Sequence, residues 1–456
     1  MFKKYLKVVG TSLLAIIMAL TLTGCGEKQT PEAKEMVVWG FVDEDVFKPI
    51  IRDFNSSISP IKINYIKKNF DSNYENDALN SIMSGQGPDV WAIPNDWVFR
   101  HQQKLYPMPE NLIKEGKIDF TNYARVLLSD NLINKQMYGL TPGLDTLQIF
   151  YNPSLIEKGR QRAQIGLENN DKEMEDTIRI FNNLPITWDE LNKIVPWITE
   201  KKGSEITTAA IALGTSNNVS ESADILSLLM LQNQTKMTSD DISQASFNLP
   251  AKDSSGQDIY PGANSLSFYT SYANPANPNY SWNQSMPNDV QAFVNGKVAM
   301  IFGYSSLDKY LNQVYPNFYY QKTLVPQIGN PNQIVDYASY TTYVVPQISS
   351  VKNTAWKFVN YLSNEAYPTY ISATRTISPR IIEQSGGEAL KNRANSELSN
   401  EILDSLSTWN KGRYPVELDN LFKDAISRVN TGSQSPQASL DTAATKLTEL
   451  LRKEDW

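Results

Sequence analysis

Within about sixty residues this chain alternates strand and helix patterns in the order β-α-β-α-β, which commits it to a parallel sheet covered by helices. Residues 36–39 form a short β run. Asp43, Glu44 and Asp45 then precede Phe47, Ile50, Ile51 and Phe54, spaced for one helical face. Proline is tolerated in a first helical turn, so Pro49 predicts a helix start near residues 46–48. Ile61, Ile63 and Tyr65 alternate with Lys62 and Asn64 as in a strand. Residues 74–84 are helical, with Gly85 as the C-terminal stop. Pro88-Asp89-Val90-Trp91-Ala92 is the next buried strand.

The pattern continues less regularly. Tyr138-Gly139-Leu140-Thr141-Pro142 is a turn-rich approach to a β run at residues 147–151. Residues 160–183 are charged, helical in propensity and expected as a surface insertion. Thr187 caps a further helix, with Glu190 at the reciprocal third position. Residues 233–262 and 274–286 are polar or punctuated by proline, and predict loop with short elements. Helical spacing at 288–295 stops at Gly296, and residues 298–302 form a strand. Ala355, Phe358, Val359 and Leu362 share one side of a helix, and residues 441–451 form a last amphipathic helix.

The N-terminus carries an address. Lys3, Lys4 and Lys7 precede an apolar run, and Cys25, the chain's one cysteine, closes Leu22-Thr23-Gly24-Cys25. A basic region, a short apolar region and a small-residue cut make a secretory signal. The apolar run is about 15 residues against the roughly 20 a spanning helix needs, which favours cleavage over an uncleaved anchor. Leu-x-Gly-Cys resembles the bacterial lipobox, whose cysteine is diacylated and begins the mature protein. That resemblance implies a signal peptide at 1–24, a lipidated tether at 25–35, and a chain held outside the cytoplasm on the cell membrane. No cysteine remains for a disulfide framework or a thiolate metal site.

About 430 mature residues exceed what one core holds, so two domains are expected. The whole chain carries 42 basic and 49 acidic residues, a formal charge of −7. Loss of the three signal lysines takes the mature chain to about −10, which argues against nucleic acid as a partner. Its 23 Tyr and 9 Trp exceed its 16 Phe. Such rings combine a flat apolar face with a polar handle, which suits wet, concave recognition surfaces.

Four segments, in order, resemble the extracellular solute-binding proteins of ABC importers, family one, the maltose-binding-protein-like group. They are Val37-Val38-Trp39-Gly40 before an acidic helix start; Gly85-Gln86-Gly87-Pro88-Asp89-Val90; Tyr138 to Pro142 with Asp145, Tyr151-Asn152 and Thr187 to Leu191; and Ala292 to Met300 followed by Gly303. The resemblance covers most of residues 36–365. It implies an α/β, two-lobe periplasmic-binding-protein-like (type II) fold with a hinge and an interlobe cleft. The expected first lobe holds 36–144 and 303–346, the second 145–302 and 347–456. The implied function is capture of a carbohydrate, a mono- or oligosaccharide, by hinge closure and delivery to ABC permease subunits. A monomer without cofactor is expected. A sensing lipoprotein without transport, or a receptor for a peptide or polyamine, stays open; the acidic balance would suit a cation.

In α/β sheets, ligands sit beyond the carboxyl ends of strands. That rule selects Trp39 and Phe41, Asp96 and Trp97, and Gly303 and Tyr304, with Asp145 at the expected lobe junction. The resemblance adds Asp43: Trp39, Asp43, Asp96 and Asp145 fall where the group holds sugar-contacting tryptophan or acidic residues. Trp97 departs, standing where an arginine is found. Trp282, in a loop, and Tyr340, at a strand start, complete the candidates. Each has a plainer reading: Trp39, Trp282 and Tyr340 as packing, Asp43 and Asp96 as helix caps, Asp145 as a turn residue.

No catalytic residue or metal ligand is expected. His101, the one histidine, is read as an exposed helix residue, and no Gly-x-Ser-x-Gly elbow accompanies it. The enzymatic rival is a glycoside hydrolase using Asp96 and Asp145, whose carboxylates would need to lie roughly 5–10 Å apart.

Overall fold

The computed structural model describes residues 35–115, 118–329, 334–381 and 402–453. The signal, Cys25 and the tether up to residue 34 lie outside them. A five-stranded sheet carries, in spatial order, Lys62–Lys67, Glu35–Gly40, Val90–Pro94, Thr341–Val344 and Gly139–Leu140. The first three run parallel, as the β-α-β-α-β pattern requires. Thr341–Val344 lies antiparallel to Val90–Pro94 on one side and to Gly139–Leu140 on the other. Gly85, at φ +74°, ends the helix Tyr74–Met83 where the sequence places its stop.

The first helix differs from expectation. It spans Glu44–Ser57, so Pro49 sits in its second turn. The missing N–H costs one helical bond. Phe47, Ile50 and Phe54 are nonetheless fully buried along one face, and that burial holds the turn in place.

A second five-stranded sheet orders Gln321–Leu324, Gln148–Tyr151, Val298–Gly303, Glu205–Ile211 and Glu200–Lys202. All six residues of Val298–Gly303 are buried at its centre. Residues 160–166 end one helix, Pro153–Gly166, and residues 171–183 form a second, Asp171–Asn183. These bury Ala163, Ile180 and Phe181 while Glu157, Lys158, Lys172 and Glu173 stay exposed. Thr187 Oγ1 accepts from the Glu190 N–H at 3.2 Å. Glu190 Oε2 answers by accepting from Ile186, one residue before the cap, at 2.9 Å.

The sheets redraw the expected lobe boundaries. Gln321–Leu324 pairs in full register with Gln148–Tyr151, so it belongs to the second lobe, and of 303–346 only the strand Thr341–Val344 joins the first sheet. The helices Lys352–Asn364 and Tyr367–Thr374 pack on the first lobe, not the second. The reason is their apolar face: the Phe358 ring meets Phe54 edge-on at 5.2 Å. Pro415–Asn430 and Pro436–Leu451 then join the second-lobe core through Leu418, Phe422, Leu440 and Leu447.

Among the described residues, the chain passes between lobes at three places that lie side by side. Leu144 pairs with Ile377, Thr146 with Ala338, and Asp336–Tyr337 with Leu406–Ser407. Leu144, Ala338, Tyr340, Ile377 and Leu406 share a small core of their own. No helix of the described residues is long and apolar enough to cross a membrane.

Candidate functional site

A cavity of about 420 Å³ opens between the lobes. The first lobe lines it with Phe70, Asn95, Asp96, Trp97 and Asp130; the hinge with Tyr337 and Ser339; the second lobe with Asp224, Thr408, Trp409, Lys411 and Asp419.

Asp96 and Trp97 follow the strand Val90–Pro94, where the strand-end rule places a ligand. Asn95 fixes this turn by pairing with Tyr340: its N–H donates to the Tyr340 carbonyl at 3.0 Å, and its Oδ1 accepts the Tyr340 N–H at 3.1 Å. Asp96 holds the N-cap position of the helix Trp97–His101 yet makes no side-chain cap bond. Its Oδ2 instead lies 3.2 Å from Lys411 Nζ. Beside it Trp97 meets Phe70 at 5.5 Å, and Phe70 is 56% exposed. Phe41 stands behind, edge-on to Phe70 at 5.5 Å.

Asp130 accepts from Asn95 Nδ2 at 2.9 Å, from the Tyr340 hydroxyl at 2.7 Å and from Thr408 Oγ1. Tyr340 therefore holds a wall carboxylate rather than lining the cavity itself. Tyr304 does the same in the second lobe, donating to Asp224 Oδ2 at 2.7 Å. Trp409 stacks on Phe422 and donates to Ser227 Oγ at 3.3 Å.

Lys411 is the charge at the centre. Its side chain is 3% exposed, with Asp419 at 2.9 Å, Asp96 at 3.2 Å and Asp224 at 3.9 Å. Burial opposes its charge, but Asp419, Tyr337, Asp96 and Asp224 hold its pKa well above the usual lysine range. Burial pushes Asp419 up to about 6 against the pull of Lys411, and raises Asp224 and Asp130. Glu221, behind Asp224, is pushed up to about 8, by burial first and then by Asp224.

The remaining candidates lie elsewhere. Trp39 is 5% exposed and packs in a core with Tyr74, Trp91 and Ile93, because its strand end turns the ring under Lys68, whose Nζ is 3.7 Å from it. Trp282 is fully buried, its Nε1 donating to Asn218 Oδ1 at 3.1 Å: the proline-rich loop folds inward. Asp43 stands between Lys67 at 2.5 Å and Lys309 at 2.9 Å, which hold its carboxyl down at about 2. Lys309 belongs to the second-lobe helix Ser305–Val314, so this pair crosses between lobes outside the cavity lining.

Asp145 is buried in the hinge. Its Oδ2 accepts from the Ser305 N–H at 2.9 Å and hydroxyl at 2.5 Å, its Oδ1 from the Thr146 N–H at 2.9 Å. Burial pushes it up to about 6 despite these bonds. It does not face Asp96 across the cavity. His101 is not exposed either: it packs against Trp91 and Trp97, with Nε2 3.0 Å from Glu75 Oε1, and burial lowers its pKa.

Sequence reasoning missed Phe70, Asp130, Asp224, Trp409, Lys411 and Asp419. Phe70 follows the strand Lys62–Lys67, so the strand-end rule could have found it. The others stand on helices or in the tail, where that rule has nothing to say.

Two α/β lobes, adjacent crossings and a lined cavity between them define a two-lobe ligand-binding protein of the type II periplasmic class. The chain belongs to the bacterial extracellular solute-binding protein family, whose profile it matches over residues 42–367. A cyclic α-maltosyl-1,6-maltose binding protein from Arthrobacter globiformis superposes with a TM-score of 0.70 at 18% identity, covering 92% of this chain and 99% of that one. The sugar-binding protein MalE of Xanthomonas citri gives 0.69 at 17%, covering 92% and 97%. A solute-binding protein from Thermotoga lettingae, bound with α-D-tagatose, gives 0.65 at 21%, covering 92% and 100%. In sequence, the chain is 26% identical to the galactooligosaccharide-binding protein of Bacillus subtilis (strain 168) over 163 residues, 34% of this chain and 37% of that relative. The match thus spans little more than a third of that protein's length.

Proposed function

We propose that this protein is a lipid-anchored extracytoplasmic receptor that captures a carbohydrate between its lobes and presents it to an ABC permease. The carrying observation is the interlobe cavity, in which Phe70, Trp97 and Trp409 stand beside Asp96, Asp224 and Asp419. A sugar ring has an apolar C–H face and a rim of hydroxyls. Aromatic faces cover the first, and carboxylates bind the second with charge-assisted hydrogen bonds. Contacts from both lobes exist together only when the hinge is closed, so ligand shifts the open–closed balance by its differential affinity. The site is read as binding only. The enzymatic rival needed Asp145 opposite Asp96, and Asp145 is committed to Ser305 and Thr146.

A thermal-shift screen should give its largest rise with a saccharide among D-tagatose, galacto-oligosaccharides, maltotetraose, peptides and polyamines. Ligand at a hundredfold excess over Kd adds about 2.7 kcal/mol to the folded state. A polyamine or peptide giving the largest rise overturns the carbohydrate reading. Phe70→Ala, at an exposed ring, should weaken saccharide binding about tenfold, or 1.4 kcal/mol, with little change in melting temperature.

The anchor rests on the Cys25 signal. The Cys25→Ser protein, expressed in a bacterial host, should leave the membrane fraction, and intact-mass analysis of the wild type should show a diacylated cysteine at residue one. A Cys25→Ser protein still firmly membrane-bound refutes the anchor. A monomer is expected by size exclusion.

A further inference from the structure

We propose that Lys411 is the charge pivot on which the two lobes close: carried by the second lobe, its ammonium draws in Asp96 of the first lobe and positions Asp96, Asp224 and Asp419 around the cavity. This inference rests on the reading of the cavity as the ligand site. Lys411 lies beyond residues 42–367, so it is not among the residues that the family match covers.

Two contacts from one short helix support it. Asp96 occupies a cap position without capping, and its carboxylate points across the lobe boundary to Lys411 at 3.2 Å. Arg100, one turn further on, reaches the same stretch of the second lobe. Its Nη1 donates to the Arg413 carbonyl and stands 3.6 Å from Glu417. Glu75 aims that guanidinium, with Oε1 2.5 Å from Nε. Residues 411–417 are thus gripped at two points by charges of opposite sign.

The energetics follow from charge burial. Closure brings Asp96 toward Asp224 and Asp419. Carboxylates gathered without a cation repel and lose water, a cost that pairing must offset. Lys411 supplies the pairing, and it is nearly inaccessible to solvent when it does so. The groups facing it are Asp96, Asp224, Asp419 and Tyr337. Behind them, Glu221, Tyr304 and Lys423 face Asp224, and Asp96 acts on Asp130. Burial already raises Asp224 and takes Asp419 up to about 6. Loss of the ammonium therefore leaves carboxylates that take up protons as pH falls, and proton uptake removes the repulsion.

Small-angle X-ray scattering of unliganded protein tests this directly. Lys411→Met should show a larger radius of gyration than wild type at pH 7.5 and return toward it at pH 5.5. Asp96→Asn alters a partly exposed group that makes no cap bond. It should open the lobes at both pH values without lowering the melting temperature. Affinity for a galacto-oligosaccharide should fall about tenfold in Lys411→Met at pH 7.5, within the usual range of coupling between sites, and recover at pH 5.5. The double variant should lose less than the sum of the two single losses. Asp96→Asn scattering like wild type overturns the pivot, as does a Lys411→Met profile that does not change with pH. A wild type that binds no saccharide defeats the carbohydrate reading instead, and the scattering still decides the role of Lys411.

Discussion

Trp39→Ala should cost about 3–5 kcal/mol of stability, the range for truncating a buried tryptophan, while the folded fraction keeps its affinity for saccharide within about twofold. Trp39 is 5% exposed and shares a core with Tyr74, Ile82, Trp91 and Ile93. Its Nε1 has no hydrogen-bond partner among the described residues, so what alanine removes is packing and the Lys68 contact over the ring. Such a loss lowers the melting temperature of a lobe of this size by more than about 6 °C. Urea unfolding gives the stability, and calorimetry on the folded fraction gives the affinity. An unchanged melting temperature with lost binding would return Trp39 to the site. The contrast is with Phe70, whose exposed ring predicts the opposite pair of results.

The local features of this chain were legible because they depend on neighbours in sequence. The parallel β-α-β-α-β run, the Gly85 stop, the Thr187 cap and the central strand Val298–Gly303 all read from spacing alone. Lobe membership was not legible, because strand pairing decides it. Nothing local in Gln321–Leu324 says that it will pair with Gln148–Tyr151 rather than return to the first sheet. The same limit governs the site. Asp43, Asp96 and Asp145 look alike in sequence, yet one joins an ion pair with Lys67 and Lys309, one faces Lys411, and one is sealed in the hinge. Spacing says where an acid stands, but only the fold says what it meets. Aromatic surplus is equally blind: Trp97 and Trp409 line the cavity, whereas Trp91, Trp282 and Trp356 fill cores. Lys411, Trp409 and Asp419 escaped because the tail folds back across a crossing that local pattern does not encode.

Asp145→Ala should destabilise the protein by about 3 kcal/mol or more at pH 7.5, and by more still at pH 5. The substitution removes the acceptors of three hydrogen bonds. Thr146 and Ser305 are buried, and each orphaned N–H costs about 1–3 kcal/mol. The pH term has a definite sign. Burial takes Asp145 up to about 6 in the fold, against about 4 in the unfolded chain. The folded state therefore binds this proton more tightly, and the group's contribution to stability falls as pH rises from about 4 to about 6, then levels. At 1.4 kcal/mol per pH unit, that is about 3 kcal/mol available to wild type at low pH and absent from the variant. Asp419, Glu221 and His101 titrate in both proteins, so the difference between the two stability–pH curves isolates Asp145. A cost that grows toward alkaline pH contradicts the assignment. The consequence reaches beyond the hinge. Asp145 ties residues 141–147 to the start of the helix Ser305–Val314, which carries Lys309 to Asp43 and Asp308 to Arg375. Cutting that tie uncouples the hinge from the helix whose charges reach both the first lobe and the last crossing. The variant should then close less tightly on ligand even where it remains folded.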